Sequence, residues 1–508
     1  MNLLSSASIF SFYTLISRLL GYIRDILIAI FLGASIYADA FFVAFRLPNT
    51  FRRLFAEGTF NAAFIPSYTK EQIKSKKNGK KFANEVLTLL TLALLLVVII
   101  VEIFTPYLVY LIAPGFYQDS DKFNLAVEFT RITFPFLLFV SLSSFFSGIL
   151  NSNNRFAAAA AAPIILNIVL ILSIFISYFL NLNFAKNLSY GVSLAGAIQL
   201  IFLIIATSNY YKPSVKLKIK INTKINFFFK KLLPSIFSSG VTQINILIGT
   251  IIASFEASAV SYLYYADRVY QINLAIAGIA IGTVSLPILS SAIKKNNIHR
   301  VFNIQNKSIE LSLLLSIPAS LGLIIAAEEI INALFGYGSF TQENITMTAK
   351  ALKYFGYGIP AFALIKVLSN FYFARDNTIT PFHLSLIVVI LNVLISIIYF
   401  KQVGFIIIPI ATSISTWIGV IFYTFLLIKN KFFVISSNLI KNILKITISA
   451  VIMSFMLIYG LDYFEENLDY THRFKSVYLL LIVGFVGTLY LITCYLLEIL
   501  KFKNYKMN

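Results

Sequence analysis

Four arginines stand where a membrane-spanning sequence ought to be apolar: Arg18 and Arg24 inside the run from Phe10 to Gly33, and Arg52 and Arg53 inside the run that follows. Each arginine at the centre of a spanning helix costs about 2.5 to 3.5 kcal/mol even on the lenient insertion scale, so several together require an anionic partner or a wet cavity. A guanidinium is planar and permanently charged, and its forked donors grip a phosphate or pyrophosphate bidentately. The chemistry therefore points to a phosphorylated amphiphile. Spacing adds geometry. Arg18 and Asp25 are seven apart and share a helix face, whereas Arg24 is rotated about 100° from Asp25. Gly21 permits a bend that would aim Arg18 and Arg24 into one cavity; the alternative is an undistorted helix. Asp39, Arg46 and Arg53 share a face of the second segment, Pro48 is expected to kink it and present Arg52 and Arg53 at a break, and Arg53 and Glu57 are spaced to pair. Tyr264-Tyr265-Ala266-Asp267-Arg268 brings a further arginine. Two bland readings compete: arginines near span ends snorkel to headgroups, and Arg24–Asp25 or Arg268–Asp267 merely neutralise one another. Against them, Asp25, Asp39, Glu57 and Asp267 are fewer than Arg18, Arg24, Arg52, Arg53 and Arg268. Lys366 either joins such a cavity or serves packing.

These residues must be carried by membrane-spanning helices. With 58% hydrophobic and only 12% charged residues, and a mean hydropathy of +0.84, the chain is too apolar for a soluble globule, where about 25% are charged. It divides into runs long enough to cross about 30 Å of hydrocarbon. The expectation is an all-α polytopic membrane protein with about fourteen spans, near 9–32, 36–65, 86–112, 129–150, 159–180, 190–208, 233–254, 259–290, 308–327, 349–373, 383–400, 405–428, 443–461 and 477–500. The net charge of +20 does not mark a nucleic-acid binder, because the lysines fall in alternate loops: 70–81, 212–231, 294–307, 429–445 and the tail from Lys501. The other loops carry Asp119, Asp121, Glu256, Glu328, Glu329 and the acidic run Asp462 to Asp469. By the positive-inside rule both termini are cytoplasmic.

Landmarks recur along the chain. Pro66 and Pro287, each expected to end a span, are 221 apart; Asn154 and Asn377, in corresponding connections, are 223 apart; Asn167 and Asn392 are 225 apart. This spacing predicts two six-helix lobes, 1–221 and 222–442, and a C-terminal helix pair, 443–508. Duplicated lobes usually hold substrate between them near the midplane and rock about it.

Other chemistry leaves no comparable trace. Cys494 is the only cysteine, and His299, His383 and His472 are scattered without metal-ligand spacing, so no metal is assigned. Gly79-Lys80-Lys81 lacks the first glycine and the hydroxyl of a P-loop, no carboxylates converge for a transferase, and Glu465-Glu466 reads as a solvated face. No catalytic residue is assigned. Ala38-Asp39-Ala40 imitates a signal-peptidase site, but the preceding run is too long and too charged.

The residues do resemble a known family. Ser17-Arg18-Leu-Leu-Gly21-Tyr-Ile-Arg24-Asp25, followed by Ala38-Asp39-Ala40 and then Arg46-Leu-Pro48-Asn49-Thr-Phe-Arg52-Arg53, is similar to the opening of the MurJ (MviN) family of bacterial lipid II flippases, within the MOP exporter superfamily. Ala113-Pro114-Gly115-Phe116, Thr133-Phe134-Pro135, Asn154-Arg155-Phe156, Tyr264 to Arg268 and Tyr337-Gly338 extend the resemblance. It implies fourteen helices, lipid II as substrate, the bacterial inner (cytoplasmic) membrane, and a role in peptidoglycan synthesis. It also implies that Arg18, Arg24, Arg52, Arg53 and Arg268 line the pyrophosphate cavity, that Asp25 and Asp39 are acidic partners, that Asn167 is a supporting polar residue, and that the last two helices hold the polyprenyl tail. Gln271, where some members have glutamate, and Ser339, which replaces a common basic residue, are not carried over. No cofactor is expected. Gln243, Asn245, Asn392, Thr412 and Ser413 supply no charged cation ligand, so the membrane potential is the expected coupling, a cation the alternative; moving one charge through 100 mV is worth about 2.3 kcal/mol. Cell-wall synthesis machinery is a conceivable partner. The competing readings are a related exporter of another oligosaccharide-lipid or drug, and an enzyme acting on a polyprenyl lipid.

Overall fold

The computed structural model describes residues 3–54, 60–214 and 243–500, and these form helices joined by short turns. In order they are α1 (Leu3–Leu32), α2 (Ile36–Leu54), α3 (Phe60–Lys74), α4 (Lys76–Ile112), α5 (Ser120–Thr133), α6 (Phe136–Ser152), α7 (Phe156–Leu180), α8 (Phe184–Thr207), α9 (Gln243–Ala253), α10 (Ala259–Leu274), α11 (Ile281–Lys294), α12 (Ile298–Ile325), α13 (Ala327–Phe335), α14 (Gln342–Gly356), α15 (Ile359–Phe373), α16 (Ile379–Val403), α17 (Ile407–Lys429), α18 (Ser437–Tyr463), α19 (Glu465–Leu468) and α20 (Lys475–Leu496). The chain is an all-α polytopic membrane protein. Among the described residues, eight helical stretches are long and apolar enough to cross a bilayer, and α14 with α15, bent by 41°, makes a broken ninth. One of the eight, Ile379–Lys429, divides at Gly404, whose φ of +73° suits only glycine, into α16 and α17, which pack side by side.

Local chemistry sets the ends. Ser75, Asp119, Asn183, Asn297, Thr341 and Ser436 each cap a following helix by accepting from a first-turn amide. Asn154 and Asp376, 222 apart, both adopt left-handed φ near +57°, and each is followed by an amide bonded five residues back, Arg155 to Leu150 and Asn377 to Tyr372. The same turn thus closes α6 and α15. Pro66 and Pro287 do not end their helices as expected. They lie inside α3 and α11, which run on to Lys74 and Lys294, as the helices of membrane proteins tolerate. The expected eighth span runs from α10 through a π-helical turn, Ala275–Ala280, into α11.

The chain divides into two compact units, Met1–Ser261 and Tyr262–Asn508. In the first, Phe60, Phe64, Tyr68, Phe82 and Phe145 stack into an aromatic core. In the second, Leu289, Phe371, Tyr372, Tyr423 and Leu427 form one core, and α18 and α20 pack Ile446, Ala450, Leu457 and Ile482 with Leu314 of α12 into another. Lipid tails give helices no hydrophobic drive to associate, so small residues at close crossings matter. A Cβ on Gly419 would stand 2.6 Å from Val388, and one on Gly191 2.4 Å from the Ser173 hydroxyl. The outward residues of the C-terminal pair, Phe455, Leu480 and Phe485 among them, are exposed, as a lipid-facing surface requires.

Candidate functional site

The arginine of α1 is built into a buried polar node. Arg24 and Asp25 are 6% and 2% exposed. Arg24 donates to Asp25 Oδ1 from Nη2 (2.7 Å) and Nε (3.0 Å), and from Nη1 to Asn167 Oδ1 on α7 (2.8 Å). Asn167 donates in turn to the Ser17 carbonyl at 2.8 Å. Its amide rests where Gly21 has no side chain, 3.6 Å from the position a Cβ would take. Helix α1 runs unbroken through that glycine, which faces the α7 asparagine. Three of the five guanidinium N–H groups are occupied, and the other two have no bond among the described residues. The node fixes the plane of the fork, and the one carboxylate balances its charge.

Arg18 is exposed on the same helix and has no hydrogen bond or ion pair among the described residues. Arg52 follows the Pro48 position of α2, and its Nε donates to Asn49 Oδ1 at 2.9 Å. The Arg53 side chain and Glu57 lie outside the described residues, and so does their expected pairing. In the second unit Arg268 donates from Nη2 to the Tyr264 hydroxyl (2.9 Å), one helical turn earlier, and sits 4.9 Å from that ring's centroid. Asp267 accepts a hydrogen bond from Gln271, also one turn away. Lys366 is exposed on α15.

Asp39 differs from its expected part as an acidic partner of the arginines. Its fully buried carboxylate accepts from Lys122 Nζ at 2.6 Å on Oδ2, and from the Ser261 amide (2.9 Å) and hydroxyl (2.5 Å) on Oδ1. Lys122 also lies 4.2 Å from the Phe116 ring centroid. The cause is local: the Asp119 cap starts α5 so that Lys122 falls in its first turn, against α2. The sequence reading missed Lys122 and Ser261, and it quoted Asn49 without pairing it with Arg52 three residues on. Nothing in local spacing signals a partner 83 or 222 residues away.

Two of the polar residues weighed for a cation, Asn392 and Thr412, bond to each other, and Ser413 donates to the Tyr354 carbonyl at 2.6 Å. Asn392 donates to the Thr412 hydroxyl at 2.8 Å, and Ser396 to Asn392 Oδ1 at 3.3 Å. Among the described residues, no three His, Cys, Asp or Glu side chains group as a metal site.

Residues 28–479 match the protein-family model described as "Lipid II flippase MurJ". The chain belongs to the MurJ family. A "Probable lipid II flippase MurJ" of Rickettsia prowazekii (strain Madrid E) is 37% identical over 517 residues, covering 99% of each chain. That of Rhizobium tropici is 37% identical over 452 residues, covering 88% of this chain and 85% of its own. Among solved structures, "Lipid II flippase MurJ, inward closed conformation" superimposes with a TM-score of 0.82 at 29% identity, over 96% of this chain and 98% of its own. A multidrug resistance MATE family transporter of the MOP superfamily shares the fold, with a TM-score of 0.68 at 14% identity over 84% of this chain and 96% of its own.

Proposed function

We propose that this chain moves lipid II from the cytoplasmic to the outer leaflet of the bacterial inner membrane, with the arginines neutralising its pyrophosphate. Membership of the MurJ family over nearly the whole chain carries this reading, and the two free N–H groups of Arg24 give it a chemical means. Lipid II enters while lobes 1–221 and 222–442 are open inward. Arg18, Arg24, Arg52, Arg53 and Arg268 receive the pyrophosphate, and rocking of the lobes releases it outside. Asp25 and Asn167 hold Arg24. The pair within 443–508 takes the polyprenyl tail on exposed residues such as Phe455 and Phe485. Both termini are cytoplasmic, and the membrane potential resets the unbalanced positive charge. No bond is made or broken, so the protein is a transporter rather than an enzyme. A drug exporter shares the fold but has no need of a buried arginine such as Arg24.

The test is to deplete the protein in its host and measure the leaflet distribution of lipid-linked precursors. Accumulation of lipid II inside, reversed by re-expression, is expected. An unchanged distribution, accumulation of a different lipid-linked sugar, or chemical conversion of lipid II by the purified protein would each overturn the reading.

A further inference from the structure

The strongest unassigned charge lies away from the arginines, on the hairpin of α3 and α4. Within twelve residues stand Lys70, Lys74, Lys76, Lys77, Lys80 and Lys81, all exposed. The one acid among them, Glu71, is buried and accepts from Lys74 at 2.7 Å. The other five have no ion pair among the described residues. The hairpin is rigid: Ser75 caps α4 through the Asn78 amide, and Gly79 packs so closely that a Cβ there would lie 3.0 Å from the Gln72 Cα. Four lysines and no acid in the first two turns of α4 oppose the helix dipole, which favours anions at that end. Between the lysines Ile73 is 80% exposed, a large apolar side chain with no protein cover.

Distance along α4 places this charge beside the bilayer surface. The uncharged stretch of the helix begins after Glu85, so Lys81 lies one turn, about 6 Å, outside it and Lys76 about 14 Å, at 1.5 Å per residue. Headgroups add roughly 5 to 8 Å beyond the hydrocarbon, and charges act over a Debye length of about 8 Å. A cluster of four to eight lysines next to a span fits anionic lipid.

We infer that the α3–α4 hairpin is a docking surface for the anionic phospholipid headgroups of the surrounding bilayer, with Ile73 set among them. The lysines collect phosphodiester charge and Ile73 dips toward the acyl boundary. This does not depend on lipid II transport, and its test reads no transport.

The experiment attaches a fluorophore to full-length Ile73→Cys protein, Cys494 being buried, in nanodiscs of phosphatidylcholine with a fixed fraction of phosphatidylglycerol. A nitroxide quencher is carried on the headgroup of one lipid or the other. Quenching by labelled phosphatidylglycerol should exceed that by labelled phosphatidylcholine several-fold at low salt. The ratio should fall to about one in 0.5 M salt, and in K76Q/K77Q/K80Q/K81Q, while the four-arginine counterpart keeps the preference. A ratio of one in the parent protein, or a preference that survives the glutamine variant, overturns the proposal. So does retention of an acidic protein by the lysines with no lipid preference.

Discussion

Replacing Asn167 by aspartate separates holding Arg24 in place from using its charge. The new carboxylate still accepts from Arg24 Nη1, which Asn167 Oδ1 now does at 2.8 Å, so the fork keeps its plane, while its other oxygen cannot replace the amide that donates to the Ser17 carbonyl. What changes is the balance. Arg24 already bonds Asp25 at 2.7 Å, and a second carboxylate makes the node net negative. An anion on the free edge of the guanidinium would lie about 7 Å from the new charge; at an effective dielectric constant of 20 that repulsion is about 2 kcal/mol, or roughly thirtyfold in affinity. Asn167→Ala instead removes a charge-assisted bond worth about 1.5 to 3 kcal/mol and leaves the Ser17 carbonyl without its donor, so binding and thermal stability fall together. The assay is lipid II affinity and translocation by purified protein in liposomes, with Tm measured on the same samples. Asn167→Asp should lose affinity about thirtyfold, with a Tm lowered by the missing bond to the Ser17 carbonyl. Wild-type affinity in that variant would refute the idea that Arg24 meets the pyrophosphate through its net charge.

Other perturbations probe the supporting structure. Asp39→Asn leaves the Lys122 ammonium buried without its carboxylate and should cost about 3 to 5 kcal/mol of stability, seen as a lower Tm, whereas Asp39→Asn with Lys122→Met should recover much of the loss. Gly419→Ala pushes a methyl into Val388 and should destabilise the α16–α17 crossing by about 1 to 3 kcal/mol, a loss that Val388→Ala relieves in thermal unfolding. Tyr264→Phe removes the hydroxyl that accepts from Arg268 but keeps the ring under it, so translocation should fall severalfold with Tm unchanged. Gly21→Ala should be tolerated in both readouts, because the added carbon meets Asn167 at ordinary contact distance and the helix is continuous there.

The contrast between Arg24 and Asp39 shows what can be read from a chain of this kind. Helices are legible because lipid leaves the backbone no other way to satisfy itself, so long apolar runs become spans. The cost of a buried arginine is legible for the same reason, and Arg24 proves to be buried. The recurrence of Asn154 and Asn377 has a counterpart in matched left-handed turns at Asn154 and Asp376. Partners are not legible, because a buried carboxylate takes whichever cation the packing of other helices delivers. For Asp39 that is Lys122, placed by a cap at Asp119. Proline was over-read as a terminator, since rules from water assume that an unpaired carbonyl must end the helix; Pro66 and Pro287 each sit within one.

The most direct measurement of the central claim is translocation of lipid II by purified protein in liposomes, comparing the parent chain with Arg24→Gln, whose shorter amide is uncharged. The account predicts transfer of lipid II to the opposite leaflet by the parent, and loss of most of it in Arg24→Gln compared at equal amounts of folded, reconstituted protein, since removing the guanidinium from Asp25 also lowers stability. Equal transfer by the two proteins, or none by a correctly folded parent, would contradict it.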